Sequence, residues 1–290
     1  MGIFNVQRGA DRHADDPSGS AAAADPPPAY VPSASSSTII PFPTPYLATH
    51  TSHPAARPAR PKSKHASILL SRTDRLRIIG FPNDIIASLD GVIKRAWKLG
   101  VQEQKAPDPL SWEWKLHGRP WTGQGIEGIA SRRLIARIFG VLETKGWHLR
   151  LSADLSKSPS DKDTLIFRSD RSLQRAIFSI SFNGDNKIRF IDAPGERVTQ
   201  AVEQAIKDTW PPGIQEAQHT EPGVYQLKLR GNPWWASTAV DSSRVRVMAC
   251  AILSAVEDEG CEMLRGLQMS VGAGDKAERD LDTWFFACDA

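Results

Sequence analysis

The chain has 290 residues, 40% of them apolar and 24% charged, with 36 basic side chains against 33 acidic ones for a net charge of +3. That length holds one or two globular units and is too great for one small domain; the near-balance of charge rules out a charge-driven nucleic-acid binder as the default reading, since such binding needs a strong basic excess or a basic stripe. No apolar run approaches the ~20 residues of a membrane-spanning helix, and the opening MGIFNVQRGADRHADD lacks the basic start and apolar core of a signal peptide, so the cytosol or the nucleus is the expected location.

Residues 1–64 hold 11 of the 21 prolines and none of the nine tryptophans. Such a segment buries too little apolar surface to offset its chain entropy, and a disordered tail is expected, with TIIPFPTPYL as a locally apolar stretch that could instead dock as a strap. Pro27, Pro28 and Tyr30 form the sequence P-P-A-Y, preceded by Pro26. A proline run pre-sets the polyproline II helix, so little entropy is lost when it lies in the aromatic groove of a WW domain, and the tyrosine ring fills a second pocket. The motif resembles the ligand read by WW-containing ubiquitin ligases of the HECT class and their adaptors. Gly2 lacks the hydroxyl residue that myristoylation wants at position six, where Val6 stands. The basic stretch with Arg57, Arg60, Lys62 and Lys64 is broken by prolines and reads as a solvated linker.

From residue 65 the hydrophobic period switches regularly. A hairpin, ASILLSRTDRLRIIGF, is followed by a helix whose apolar positions 85, 86, 89, 92, 93, 96 and 97 share one stripe. A strand then points Trp112, Trp114 and Leu116 one way and Glu113, Lys115 and His117 the other. It stops at Gly-x-Pro-Trp, where proline lacks the ladder N–H. A second helix buries Leu134, Ile135, Ile138, Phe139 and Leu142 and ends at Lys145-Gly146, and the strands WHLRLSADL and TLIFR close the unit.

The chain then reads through the same order again. At an offset of 113, Ile85, Leu89, Val92, Ile93 and Trp97 fall on Val198, Val202, Ala205, Ile206 and Trp210, and WEWKLHGRPW falls on YQLKLRGNPW. At 114, Glu143 and Gly146 fall on Glu257 and Gly260, and at 119 DTLIFR falls on DTWFFA. Four colinear blocks at nearly constant spacing signal duplication. The expected architecture is therefore α+β: a tail over 1–64, then repeats over 65–170 and 171–290. Each repeat is a ββαβαββ two-layer sandwich with two helices on a mainly antiparallel sheet, and the repeats are expected to pack as a pseudo-symmetric pair.

Trp121, Trp234 and Trp235, at the strand-to-helix bends, are the candidate floor of an aromatic pocket, with Trp235 the one expected to be exposed; the competing reading is core packing. Lys115 and Lys228, Arg132 and Arg246, Glu143 and Glu257, and Asp163 and Asp282 recur in both copies, as a shared site or a shared ion pair would require. The three cysteines, Cys250, Cys261 and Cys288, do not form a metal knuckle and read as reduced and mostly buried. With no His-x-x-x-His, Gly-rich phosphate loop or G-x-S-x-G, neither a catalytic residue nor a cofactor or metal is expected.

The W-x-[KL]-x-G-x-P-W pattern, the Gly-Trp after the second helix and the D-x-[WL]-x-F strand resemble proteins of fungal genomes in which this unit follows a proline-rich N-terminus. The resemblance covers residues 66 to 290 and implies no activity and no site residue. The functional expectation is a non-enzymatic interaction protein, an adaptor or substrate of a WW-domain ubiquitin ligase. The alternative is a small-molecule or lipid carrier with an aromatic pocket between sheet and helices.

Overall fold

The computed structural model describes residues 64–122, 125–157, 161–269 and 281–289. The first repeat runs β1 (His65–Ser71), β2 (Arg75–Ile79), α1 (Asn83–Ala96), β3 (Val101–Lys105), β4 (Ser111–Leu116), α2 (Gly125–Thr144), β5 (Trp147–Ala153) and β6 (Asp161–Ser169). The second runs β7 (Arg175–Asn183), β8 (Lys187–Ile191), α3 (Glu196–Thr209), β9 (Ile214–Glu221), β10 (Val224–Leu229), α4 (Ala239–Asp258), β11 (Cys261–Leu267) and β12 (Thr283–Asp289). Each repeat makes one antiparallel six-stranded sheet, in the orders β3-β4-β2-β1-β6-β5 and β9-β10-β8-β7-β12-β11, which are the same order. Tandem duplication of an α+β unit is the observed architecture.

Equivalence extends to single atoms. Trp97 caps α1 and Trp210 caps α3; both are buried, and their indole N–H groups donate to the carbonyls of His117 at 2.9 Å and Arg230 at 3.0 Å. Gly118 and Gly231 both turn the chain out of the fourth strand of their repeat with positive φ, at 81° and 75°, a conformation in which a Cβ is disfavoured.

Each repeat carries one strand more than the periodicity predicts, so the unit is ββαββαββ. The additional strands, β3 (VQEQK) and β9 (IQEAQHTE), lie at a sheet edge and are exposed almost throughout. They form through the backbone ladder to β4 and β10. With no apolar face to bury, they leave no alternation in the sequence.

The two repeats do not pair about a two-fold axis. They stack head to tail, with the helices of the first repeat facing the second repeat's sheet on the side away from its own helices. Phe139 of α2 bridges the layers, 5.8 Å from Phe167 in the first sheet and 5.3 Å from Phe285 in the second, ring centroid to centroid. Leu267, Met269 and Phe285 accordingly belong to the first repeat's core, while Phe178, Ile180 and Phe286 face α3 and α4. The asymmetry follows from the strands. β12 carries a ring on each face, Phe285 toward α2 and Phe286 toward α3 and α4, where β6 has the smaller Ile166 on its outer face. The outer face of the first sheet carries Arg75, Arg77, Glu113 and Lys115 and is left open.

The cysteines also differ from expectation. Cys261 and Cys288 sit directly opposite each other on β11 and β12 and form a disulfide, with Cα atoms 4.1 Å apart. Both are buried, whereas Cys250, on α4, is free and exposed. Only strand register brings residues 27 apart into bridging range, and spacing alone does not reveal register.

Candidate functional site

The Gly-x-Pro-Trp bends are short 3-10 turns, Pro120–Thr122 and Pro233–Trp235. Trp121 is fully buried beneath α2 and donates its indole N–H to the Arg75 carbonyl at 2.8 Å. Trp234 is half-buried, edge-on to Phe182 at 5.2 Å, and its buried indole nitrogen has no hydrogen-bond partner. Trp235 is 70% exposed, its N–H donating to Asp185 Oδ1 at 2.7 Å. The three rings are thus core, core margin and surface. They do not converge on one cavity. Pro27, Pro28 and Tyr30 lie outside the described residues.

On the helical side of the second repeat, Thr209, Ala239, Val240, Ser243, Arg244 and Val247 line an open groove of about 420 Å³ between the end of α3 and the start of α4. Val240 and Val247 are both more than half exposed there. The Thr238 side chain accepts from the Asp241 N–H at 3.0 Å and so caps α4 at this end.

A third feature was not anticipated. Where β5 of the first sheet meets β11 of the second, a polar cleft of about 450 Å³ collects Glu143, His148, Arg150, Asp170, Arg175 and Arg265. Arg175 chelates the buried Glu143 through two bonds of 3.0 and 2.6 Å and reaches Glu262 at 2.6 Å. Held first by Glu143, its guanidinium is still harder to deprotonate than usual. His148 engages the Arg171 carbonyl through Nε2 at 2.6 Å, while its Nδ1 stands 3.9 Å from Glu143. Asp170, accepting from the Arg171 N–H, titrates below the ordinary carboxylate range and pairs with Arg150 at 3.3 Å. Arg265 donates to the Arg150 carbonyl across the gap, and its Nε is buried without a partner. With Glu143 chelated and His148 tied to a carbonyl, the arrangement clamps α2, the inter-repeat linker and β11 together. The recurrence of Glu143 and Glu257 was the one signal that could have pointed here.

A second charged cluster lies on the open face of the first sheet. Buried Glu113 accepts from Arg75 and from Arg77, the latter at 2.6 and 2.8 Å. Burial works to raise its pKa, but the two guanidiniums win and hold it below the ordinary range. In the second repeat Gln226 takes the place of Glu113 and accepts from Arg189 at 2.8 Å.

Among the described residues, no group of three His, Cys, Asp or Glu is placed to hold a metal ion, and no helix is long and apolar enough to cross a membrane.

No curated protein matches the chain. A solved structure from Trypanosoma cruzi, described as a conserved kinetoplastid-specific protein, aligns over 39% of this chain and 98% of its own at 16% identity, with a TM-score of 0.30. These comparisons are silent on the fungal proteins that the tryptophan pattern resembles. One domain-family model matches twice, over residues 64–168 and 176–287, which between them take in nearly all of both repeats. The chain belongs to the family that this domain defines and carries the domain in tandem.

Proposed function

We propose that this is a non-enzymatic interaction protein whose body binds through its surface and whose tail recruits a WW-domain partner, as an adaptor or substrate of a ubiquitin ligase, through Pro27, Pro28 and Tyr30. The observation that supports surface binding is where the rings lie. The space between sheet and helices, where a carrier would hold its ligand, is occupied by Trp97, Trp114, Trp121, Phe139 and Phe167, all buried. Open apolar ground lies outside instead, at Val240, Val247 and Trp235.

The tail is tested by titrating WW domains with a peptide spanning residues 20–36. Saturable binding of about 5 to 8 kcal/mol is expected, since a short peptide buries little area and must be ordered. Tyr30→Ala should abolish it and Tyr46→Ala should not. Equal binding by the Tyr30→Ala peptide would overturn the reading. The cytosolic or nuclear location proposed with it has its own check, because those compartments keep thiols reduced: rapid alkylation of cell lysate should trap Cys261 and Cys288 as thiols. Recovery of the oxidised pair would place the protein in an oxidising compartment.

A further inference from the structure

The contact between the repeats is heterologous: a helix face of one meets a sheet face of the other. A heterologous contact uses two different surfaces, so a stack built from it ends with one of each unused. Here the unused surfaces are the outward face of α4 and the open face of the first sheet, and both retain the pattern of their buried counterparts.

On the helix side, Arg132 of α2 donates Nη1 to the Gly128 carbonyl one turn back at 2.8 Å and Nε to Thr283 Oγ1 of the second sheet at 2.8 Å. Its equivalent, Arg246 of α4, makes the same backward bond, Nη1 to the Ser242 carbonyl at 3.2 Å, but lies exposed. Cys250 stands where Ala136 is buried, and Leu253 where Phe139 is buried. Val247 is 56% exposed.

On the sheet side, the face that receives α2 has two cross-strand rows, Val224–Ile191–Ser179–Phe285 and Gln226–Arg189–Ser181–Thr283. The open face of the first sheet repeats them as Ser111–Ile79–Ser67–Ile166 and Glu113–Arg77–Leu69–Thr164. Isoleucine, serine, arginine and threonine recur at matching places, and Ile166 takes the place of Phe285. Glu113 offsets one of the two charges of Arg77 and Arg75, and the buried counterpart of this face likewise presents an arginine, Arg189, beside Gln226.

We propose that the chain associates with further copies of itself head to tail, α4 of one molecule seating on the open face of the first sheet of the next, with Arg246 donating to Thr164 as Arg132 donates to Thr283. The internal stack then continues between molecules. Association is weaker than the internal contact, since Ser243 and Leu253 replace Ile129 and Phe139. This inference rests on the stack of the repeats and is independent of the tail motif.

Sedimentation velocity of the full chain across the micromolar range tests it, in a Cys250→Ala background that prevents cross-linking and restores the residue found in the first repeat. The weight-average sedimentation coefficient should climb with concentration without levelling at a dimer. Arg246→Glu and Ile166→Lys should each stay monomeric alone, yet an equimolar mixture should form a one-to-one dimer, each variant supplying one intact face. That complementation also shows both variants folded; should Ile166→Lys lose its far-ultraviolet circular dichroism, Thr164→Lys takes its place. A parent that remains monomeric, as it would with its own tail over the sheet, overturns the proposal. So does a dimer that Arg246→Glu alone abolishes, or a mixture that fails to associate.

Discussion

Trp97 and Trp210 show what a single side chain contributes. Each closes its helix, fills the core and donates to a carbonyl 20 residues further on, so removal combines lost transfer energy, a cavity and an orphaned acceptor. Trp97→Ala and Trp210→Ala should each destabilise by about 3 to 5 kcal/mol in urea denaturation, and an unchanged midpoint would show the rings to be peripheral. Trp121→Ala should cost more than Trp234→Ala, because only Trp121 is both fully buried and hydrogen-bonded. Burial also pushes the Lys162 ammonium down to about 8, with Asp163 offsetting part of the effect. From about 8 up to the ordinary 10.5 the unfolded chain then binds the extra proton, so the penalty that Lys162 places on folding is full below that window and is relieved as pH rises through it. Lys162→Met should raise the urea midpoint at neutral pH and leave it nearly unchanged above pH 10.5; the reverse order would contradict the shift. At this scale the sequence separates residues on a helical stripe, such as Trp97, from the rest. It cannot separate Trp121 from Trp234, whose motif is the same, because their depth is set by the helix and strands laid over them.

Elements with an apolar face were legible and those without one were not. α1 and α3 declare themselves by their stripes, and β4 and β10 by alternation, whereas β3 and β9 exist only as partners of those strands and leave no trace in hydrophobic order. Turn chemistry was legible at the glycines that close α2 and α4. Gly146 and Gly260 have φ of 75° and 78°, but a Cβ on Gly146 would run into the Asp170 carbonyl, while one on Gly260 would meet nothing within 4 Å. Gly260→Ala should therefore cost only the left-handed penalty of about 1 to 2 kcal/mol, and Gly146→Ala distinctly more, read as the difference between their denaturation midpoints. Register was the illegible quantity at this scale. It pairs Cys261 with Cys288, and the protein purified and left to oxidise in air should accordingly show one reactive thiol, at Cys250, before reduction and three after reduction and unfolding. Three before reduction would remove the disulfide.

For the molecule as a whole, duplication was legible and stacking was not. Repeated blocks say that two units share a fold, but the way they pack depends on which faces remain uncovered, and the clue was a single difference: DTWFFA carries adjacent phenylalanines where DTLIFR carries Ile166 and Phe167. The larger ring at Phe285 packs against Phe139 of α2, and the clamp of Glu143, Arg175 and Glu262 fixes the junction. The repeats should consequently unfold as one cooperative body. The most direct measurement is a double-mutant cycle on Phe139→Ala and Phe285→Ala, whose rings meet across the repeats at 5.3 Å. The head-to-tail stack predicts a coupling of about 0.5 to 1.5 kcal/mol between them; strict additivity would mean that the first repeat's helix does not pack on the second repeat's sheet.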